Sequence, residues 1–238
     1  MSEIDFGQNR YWSCIAYNVP LFSAETTSKL IYKFAQLPEL TAEAIEETED
    51  GLRISSRRAK GENPTHLVQV ESNTVVFRVG RGVSFANWQK FRSTCYKRYV
   101  ELTDGAHLEA IHFFDSVYLL DIPVAHVDRQ ALQRVVFREH DLTNFIPPDR
   151  RDIIAHEILV ADKGRSERVY LGVGEPAEKA DQRLVTFKLG SASYSLKPGR
   201  KQSLVAVIHS VMRQKDGLFL EFCDLLSKSI LKKKPKRT

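Results

Sequence analysis

Long apolar runs are missing from this chain. Nothing in its 238 residues approaches the roughly 20 consecutive apolar residues that cross a bilayer as a helix. The opening, MSEIDFGQNR, lacks the basic-then-apolar order of a secretory signal, so a soluble, cytoplasmic protein is expected. Cysteine is scarce as well. Cys14, Cys95 and Cys223 are odd in number, far apart, and each sits in an apolar-patterned stretch, which reads as buried thiols and excludes a disulfide framework. There is no P-loop, no G-x-G-x-x-G, no H-E-x-x-H and no paired C-x-x-C. Those absences weigh against a nucleotide-driven enzyme, and neither a cofactor nor a bound metal is expected.

Charge of one sign is also missing from most of the chain. The net charge is +5, and Lys232, Lys233, Lys234, Lys236 and Arg237 supply all of that excess, leaving residues 1–231 formally neutral. A protein that grips duplex DNA through its body needs a basic face, because phosphate neutralisation supplies most of the affinity. A neutral body argues against that class and leaves residues 232–238 as a disordered basic tail.

What is present is hydrophobic periodicity. Residues 11–19 carry large apolar side chains in strand-like alternation and end at Pro20. Ser23 can cap a helix in which Leu30, Ile31, Phe34 and Leu37 recur at helical spacing up to Pro38. The acidic stretch 39–50 has little to bury and reads as a loop or frayed helical extension. Three short strands follow at 51–57, 66–71 and 74–80, the last two joined by a tight turn at Ser72-Asn73. After Ser84, the residues Phe85, Trp88, Phe91, Cys95, Tyr99 and Leu102 form one helical stripe, stopped by Asp104-Gly105.

The same order then runs again. A strand spans 107–122 and ends at Pro123; Asp128 can cap a short helix carrying Leu132, Val135 and Val136; and 144–152, with Pro147-Pro148, is a loop. Strands at 153–161, 168–174 and 183–189 precede a helix opened by Ser203, with Leu204, Ile208, Val211, Phe219, Phe222, Leu226 and Ile230 on one side and a candidate kink at Gly217. Two long amphipathic helices, each after a three-stranded meander, must lay their stripes on β-sheet. The expected fold is α+β: antiparallel sheet covered on one face by long helices, built from β-α-β-β-β-α halves at 1–104 and 105–231 that pack as one unit.

The segment His66-Leu67-Val68-Gln69-Val70, the Trp88-Gln89-Lys90-Phe91 helix opening, the strand ending Leu120-Asp121-Ile122-Pro123 and the long C-terminal helix together resemble a sporadically distributed family of bacterial proteins of about this length. In that family the strand centre reads like R-x-G-L-R-Y-I-N. This chain has Ile111-His112-Phe113-Phe114-Asp115-Ser116-Val117-Tyr118 there, a departure at the family's most specific segment. The resemblance implies a bacterial cytosolic protein from a patchily distributed group, as mobile or defence-linked genes are. It transfers no catalytic residue.

Three groups of residues remain as candidates for chemistry. Arg138-Glu139-His140-Asp141, Asp149-Arg150-Arg151-Asp152 and His156-Glu157 are the densest polar cluster, and Glu139, Asp141, Asp149 and Glu157 would be the ligands of a metal-dependent nuclease if they converged. The plainer reading is a solvated loop beside the Pro-Pro turn. His107 and His112, five apart on one strand, fall on opposite faces and cannot share a metal from regular geometry.

Trp88, Phe91, Phe113, Phe114, Phe219 and Phe222, with Arg57, Arg58, Lys60, Arg78 and Arg81 nearby, are the components of a base-stacking platform, set against ordinary core packing. The tail is a candidate contact for nucleic acid or an acidic partner. The reading that leads is a non-enzymatic interaction or accessory subunit of a multi-component bacterial system, such as phage defence or a toxin–antitoxin pair. Another protein is its expected partner, with no assignment of oligomeric state. A nucleic-acid-binding module using Arg57, Arg58, Lys60 and the tail is the first alternative, and the nuclease is the second.

Overall fold

Side chains 11, 13, 15 and 17 are buried while 10, 12 and 14 are partly exposed, the period of two that a strand with one covered face requires. The strand is β1 (Arg10–Tyr17) in a computed structural model that describes residues 4, 6–17, 22–56, 63–102, 111–128, 130–132, 155–162, 167–174, 184–194 and 204–231. After it come α1 (Ala24–Phe34), four strands, β2 (Ile45–Thr48), β3 (Gly51–Ser55), β4 (His66–Glu71) and β5 (Thr74–Val79), and then α2 (Phe85–Leu102). The order restarts with β6 (Ile111–Pro123). A helical segment at 130–132 follows, its start capped by Asp128, whose Oδ1 accepts from the Ala131 amide at 3.0 Å. Then come β7 (Ala155–Asp162), β8 (Glu167–Gly174), β9 (Leu184–Tyr194) and α3 (Leu204–Ser229).

Among the described residues, the nine strands lie in one antiparallel sheet, ordered β2-β3-β4-β5-β1-β6-β9-β8-β7. Reading outward from the middle, each half places its first strand beside the last strand of its own meander. The two first strands, β1 and β6, then pair with each other from Arg10↔Leu119 to Tyr17↔Ile111. At the centre of this joint the hydroxyls of Ser13 and Ser116 share a buried hydrogen bond of 2.9 Å. The two halves therefore share a single sheet, related by a local two-fold in topology. The expected junction at 104 and 105 lies outside the described residues.

α1, α2 and α3 cover the same face. Phe34 of α1 meets Phe77 edge-on at 5.8 Å, Trp88 of α2 stacks on Tyr11 at 6.2 Å, and Phe219 of α3 stacks on Tyr118 at 4.5 Å. Tyr11, Phe77 and Tyr118 all point to that face by strand parity. The helices start where capping side chains stand: Ser23 Oγ accepts from the Thr26 amide at 3.3 Å, and Ser84 Oγ from the Asn87 amide at 3.3 Å. The α+β class, with antiparallel sheet under long helices, is thus realised. Among the described residues no helix is long and apolar enough to cross a membrane.

The structure departs from the sequence pattern in three places. Residues 39–50 hold a short 3-10 turn, Ala42–Ala44, followed by β2, which pairs with β3 from Ile45↔Ile54 to Thr48↔Gly51. Neither a loop nor a helical extension forms along β2, because β-branched Ile45 and Thr48 suit a strand and Glu46 forms an ion pair with Arg53 across the hairpin. β9 continues to Tyr194, well past residue 189, paired along its length with β6 and β8. α3 passes through Gly217 as continuous helix.

The two glycines at special positions respond oppositely to an added methyl. A Cβ on Gly51 would overlap the Val70 carbonyl oxygen on β4, which is backbone and cannot swing away, whereas a Cβ on Gly217 meets nothing within 4 Å. Gly51→Ala is expected to destabilise the fold by about 1–3 kcal/mol, and Gly217→Ala to stabilise it by about 0.5–1 kcal/mol through helix propensity. Thermal melts of the two variants check both signs.

Candidate functional site

Of the residues singled out from sequence, Arg57, Arg58, Lys60 and the tail Lys232, Lys233, Lys234, Lys236 and Arg237 lie outside the described residues, as do Arg138, Glu139, His140, Asp141, Asp149, Asp152 and His107. His156 and Glu157 fall on β7 and His112 on β6, where only the backbone is described. Among the described residues no three His, Cys, Asp or Glu side chains gather closely enough to hold a metal ion. The stacking-platform reading is corrected for four of its six aromatics, and the Phe113 side chain lies outside the described ones. Trp88, Phe91, Phe114 and Phe219 are all buried in the core between helices and sheet, so no base can reach them. Phe222 packs against that core half-buried.

The polar residues that the fold does bring together sit in the seam between α2 and α3. The side chains of Arg92 and Asp216 are 2 % and 10 % exposed, and Arg92 Nη2 lies 2.6 Å from Asp216 Oδ2. Gln89 Nε2 donates to the same oxygen at 2.8 Å, and the Tyr118 hydroxyl donates to Oδ1 at 3.0 Å. Burial works against the Arg92 charge, but Tyr118 and Asp216 more than offset it and hold its proton tightly. Burial drives the Tyr118 hydroxyl far above its ordinary value despite the opposing Arg92 charge, so it stays a donor. Both carboxylate oxygens of Asp216 are thus engaged. The cluster is a charge-neutral tie between α2, α3 and β6, with no base left free for proton transfer.

One residue earlier on α3, Lys215 is 1 % exposed. Its ammonium donates to the Ser191 carbonyl and to Ser191 Oγ, both at 2.8 Å, and lies 5.9 Å from the Phe114 ring centroid.

The three cysteines form no disulfide, and neither Cys14 nor Cys95 is poised as a nucleophile. Burial, with Asp115 and Glu71 nearby, pushes the Cys14 thiol up to about 12, and burial also lifts Cys95 well above the ordinary thiol range. Cys223 is buried beside the core of α3.

Outside the tie, the same seam opens into a groove of two chambers. One, about 430 Å³, is lined by Gln89, Arg92, Ser93, Met212, Arg213 and Asp216. The other, about 250 Å³, is lined by Tyr96, Lys97, Val100, Glu101 and Ile208, and Ser93 and His209 border both.

The second face of the sheet carries a different surface. One row of directly opposed residues runs Leu67–Arg78–Trp12–Val117–Gly190–Tyr170 across six strands. Arg78 is exposed, Leu67, Trp12 and Tyr170 are partly exposed, and Val117 in the middle of the row is buried. Gly190 has no side chain because the Tyr170 ring lies across it, where any Cβ would fall inside the ring. The Tyr170 hydroxyl donates to Asp115 Oδ2 at 2.6 Å, and Lys188 Nζ stands 5.1 Å from the ring centroid. Nearby, buried Asp121 gathers Arg10 at 2.9 Å, Arg81 at 3.6 Å and the Thr186 hydroxyl at 2.6 Å. Sequence reasoning named Arg78 and Arg81 as cations but passed over Trp12, Tyr170, Arg92, Lys215 and Asp216. The signal for the last three was present: charged residues occupy core positions of the two helical stripes, Arg92 between Trp88 and Cys95, and Lys215 between Met212 and Phe219.

Removing one partner of the tie leaves the other charged and buried, so Arg92→Met is expected to cost about 3–5 kcal/mol, and the double change Arg92→Met with Asp216→Leu to cost less than Arg92→Met alone. Denaturant melts of both variants check the order. Asp115 supplies a pH signature. Burial raises its carboxyl despite the Tyr170 hydrogen bond, so the ionised form opposes folding. The associated stability is fully present below the ordinary pKa of about 3.9 and is lost as pH rises toward the raised value. Asp115→Asn should therefore stabilise the protein at pH 7 and leave it unchanged in acid, as read from melts across that range.

Compared with protein-family models and with curated proteins, the chain matches none.

Proposed function

We propose that this chain is a non-enzymatic interaction protein, an accessory subunit of a multi-component bacterial system such as phage defence or a toxin–antitoxin pair. It acts in the cytoplasm and meets a protein partner through the second face of its sheet. The observation that carries this reading is the row Arg78–Trp12–Val117–Gly190–Tyr170, with Arg10, Arg53 and Lys188 on the same face. Tryptophan, tyrosine and arginine are the residue types that dominate binding energy at protein interfaces, where a large side chain anchors and neighbouring polar groups satisfy the rim. Antiparallel sheets commonly leave one face to solvent, and here that face carries partly exposed Trp12 and Tyr170 among its charged groups.

The interior supports the same conclusion. Asp216 spends its acceptors on Gln89, Arg92 and Tyr118, and the thiols of Cys14 and Cys95 are held protonated, so the described interior offers packing and ion pairing and no activated group.

The test is co-expression with the products of adjacent genes, followed by co-purification. Trp12→Ala and Arg78→Glu should each weaken a stoichiometric complex by about tenfold or more, while circular dichroism stays that of the parent. A complex indifferent to both changes overturns the assignment of this face. Salt-sensitive binding of a labelled oligonucleotide that is lost in Trp12→Ala would move the protein to the nucleic-acid-binding class.

A further inference from the structure

The two end strands of the sheet differ in how they are defended against pairing. β2 is four residues long and carries Glu46 and Glu47. β7 runs for eight residues, Ala-His-Glu-Ile-Leu-Val-Ala-Asp, and pairs with β8 in unbroken register from Ala155↔Gly174 to Asp162↔Glu167. Among the described residues β8 is its one neighbour. Natural sheets blunt such an edge by brevity, lysine, proline or a bulge. β7 has none of these, and its centre, Ile158-Leu159-Val160, is apolar with two β-branched residues, a composition that suits a strand with a neighbour on each side.

We propose that β7 pairs antiparallel with β7 of a second copy of this chain, about a two-fold axis at Leu159. The strand is complementary to itself in that register. Ile158 opposes Val160, Glu157 opposes Ala161, and His156 opposes Asp162, each pair occurring twice. An imidazole donor thus meets a carboxylate acceptor at either end, and no like charges face each other within the strand pair. The two adjacent registers with the same facing are poorer, since one sets Asp162 against Ile158 and the other sets Glu157 against Leu159. That self-complementarity selects a second copy over an unrelated strand.

Opposed residues share parity, so the axis stands perpendicular to the sheet and both copies keep their helices on the same side. The chain already makes a joint of this kind within itself, where β1 and β6 pair antiparallel with Ser13 and Ser116 at the centre. By register, Ile158 and Val160 extend the rows of Leu171 and Val169, which pack against the core, and Leu159 extends the row ending at Tyr170. The joined sheet terminates in β2 on both sides, so the assembly closes at two copies. This inference does not rest on the protein interface assigned to the second face.

The experiment is sedimentation velocity of the full chain from about 1 to about 100 μM, the range in which a small interface assembles. The parent is expected to pass from monomer to dimer across that range. Leu159→Lys sets two ammonium groups against each other on the axis and should weaken the dimer by about tenfold or more, with an unchanged circular dichroism spectrum. His156→Asp brings a second carboxylate against Asp162 and should weaken it by about tenfold; adding Asp162→Lys makes the ends complementary again and should restore it. A variant that merely damaged the strand would not be rescued by a second charge change. A parent monomeric throughout, a dimer indifferent to Leu159→Lys, or a double variant no better than His156→Asp overturns the proposal. So does an edge that takes only a foreign strand, seen as a complex with another protein that Leu159→Lys abolishes while the parent shows no self-association.

Discussion

Everything in this protein hangs on the pairing of β1 with β6. Each half alone would end in a first strand with one edge of N–H and C=O groups unpaired, and an unpaired edge in a hydrophobic setting is costly and adhesive. Antiparallel pairing from Arg10 to Tyr17 against Ile111 to Leu119 satisfies both edges at once and sets the middle of a nine-stranded sheet. It also brings Tyr11 opposite Tyr118 beneath Phe219, with the Tyr11 ring 5.8 Å and the Tyr118 ring 4.5 Å from it. Trp88 on Tyr11 and Phe85 on Phe219 extend the same aromatic layer under α2 and α3. Sheet pairing and helix packing are therefore one problem with one solution, since the strand joint fixes where the two long helices meet.

That meeting line holds the chain's most expensive interior groups. Arg92, Asp216 and Lys215 are buried charges, which cost several kcal/mol each to remove from water and return little net stability even when well paired. What they provide is registration. Two apolar stripes on the same sheet face can slide along each other by a turn at small cost, but the Arg92–Asp216–Tyr118 triangle is satisfied in only one alignment. Lys215, bonded to the backbone and hydroxyl of Ser191, does the same for α3 against β9.

Sequence patterns carried much of this architecture because hydrophobic period decides secondary structure wherever one face is covered. Alternation at Val75, Phe77 and Val79 gave β5, and the stripe through Trp88, Phe91 and Cys95 gave α2, both buried as their spacing demands. The duplicated order of elements was legible for the same reason. β2 escaped because a four-residue strand at a sheet end buries little and its acidic composition reads as loop, while its pairing depends on β3. The polar tie escaped for a different reason. Charges inside an apolar stripe can snorkel to solvent or meet a partner, and Asp216 is more than a hundred residues from Arg92, so only three-dimensional proximity decides. Trp12 and Tyr170 are each ordinary strand residues; the row they form arises from register across four strands, a quantity no local window contains.

An open sheet has two termini, and the one formed by β2 is described in full. It is four residues long, carries Glu46 and Glu47, and engages Glu46 with Arg53 on its only neighbour. Brevity and acidity at such a border repel the approach of a second ribbon from another molecule. Growth of the sheet by intermolecular accretion is discouraged on that side, so the broad central surface can present its aromatic row without the particle drifting toward fibrils.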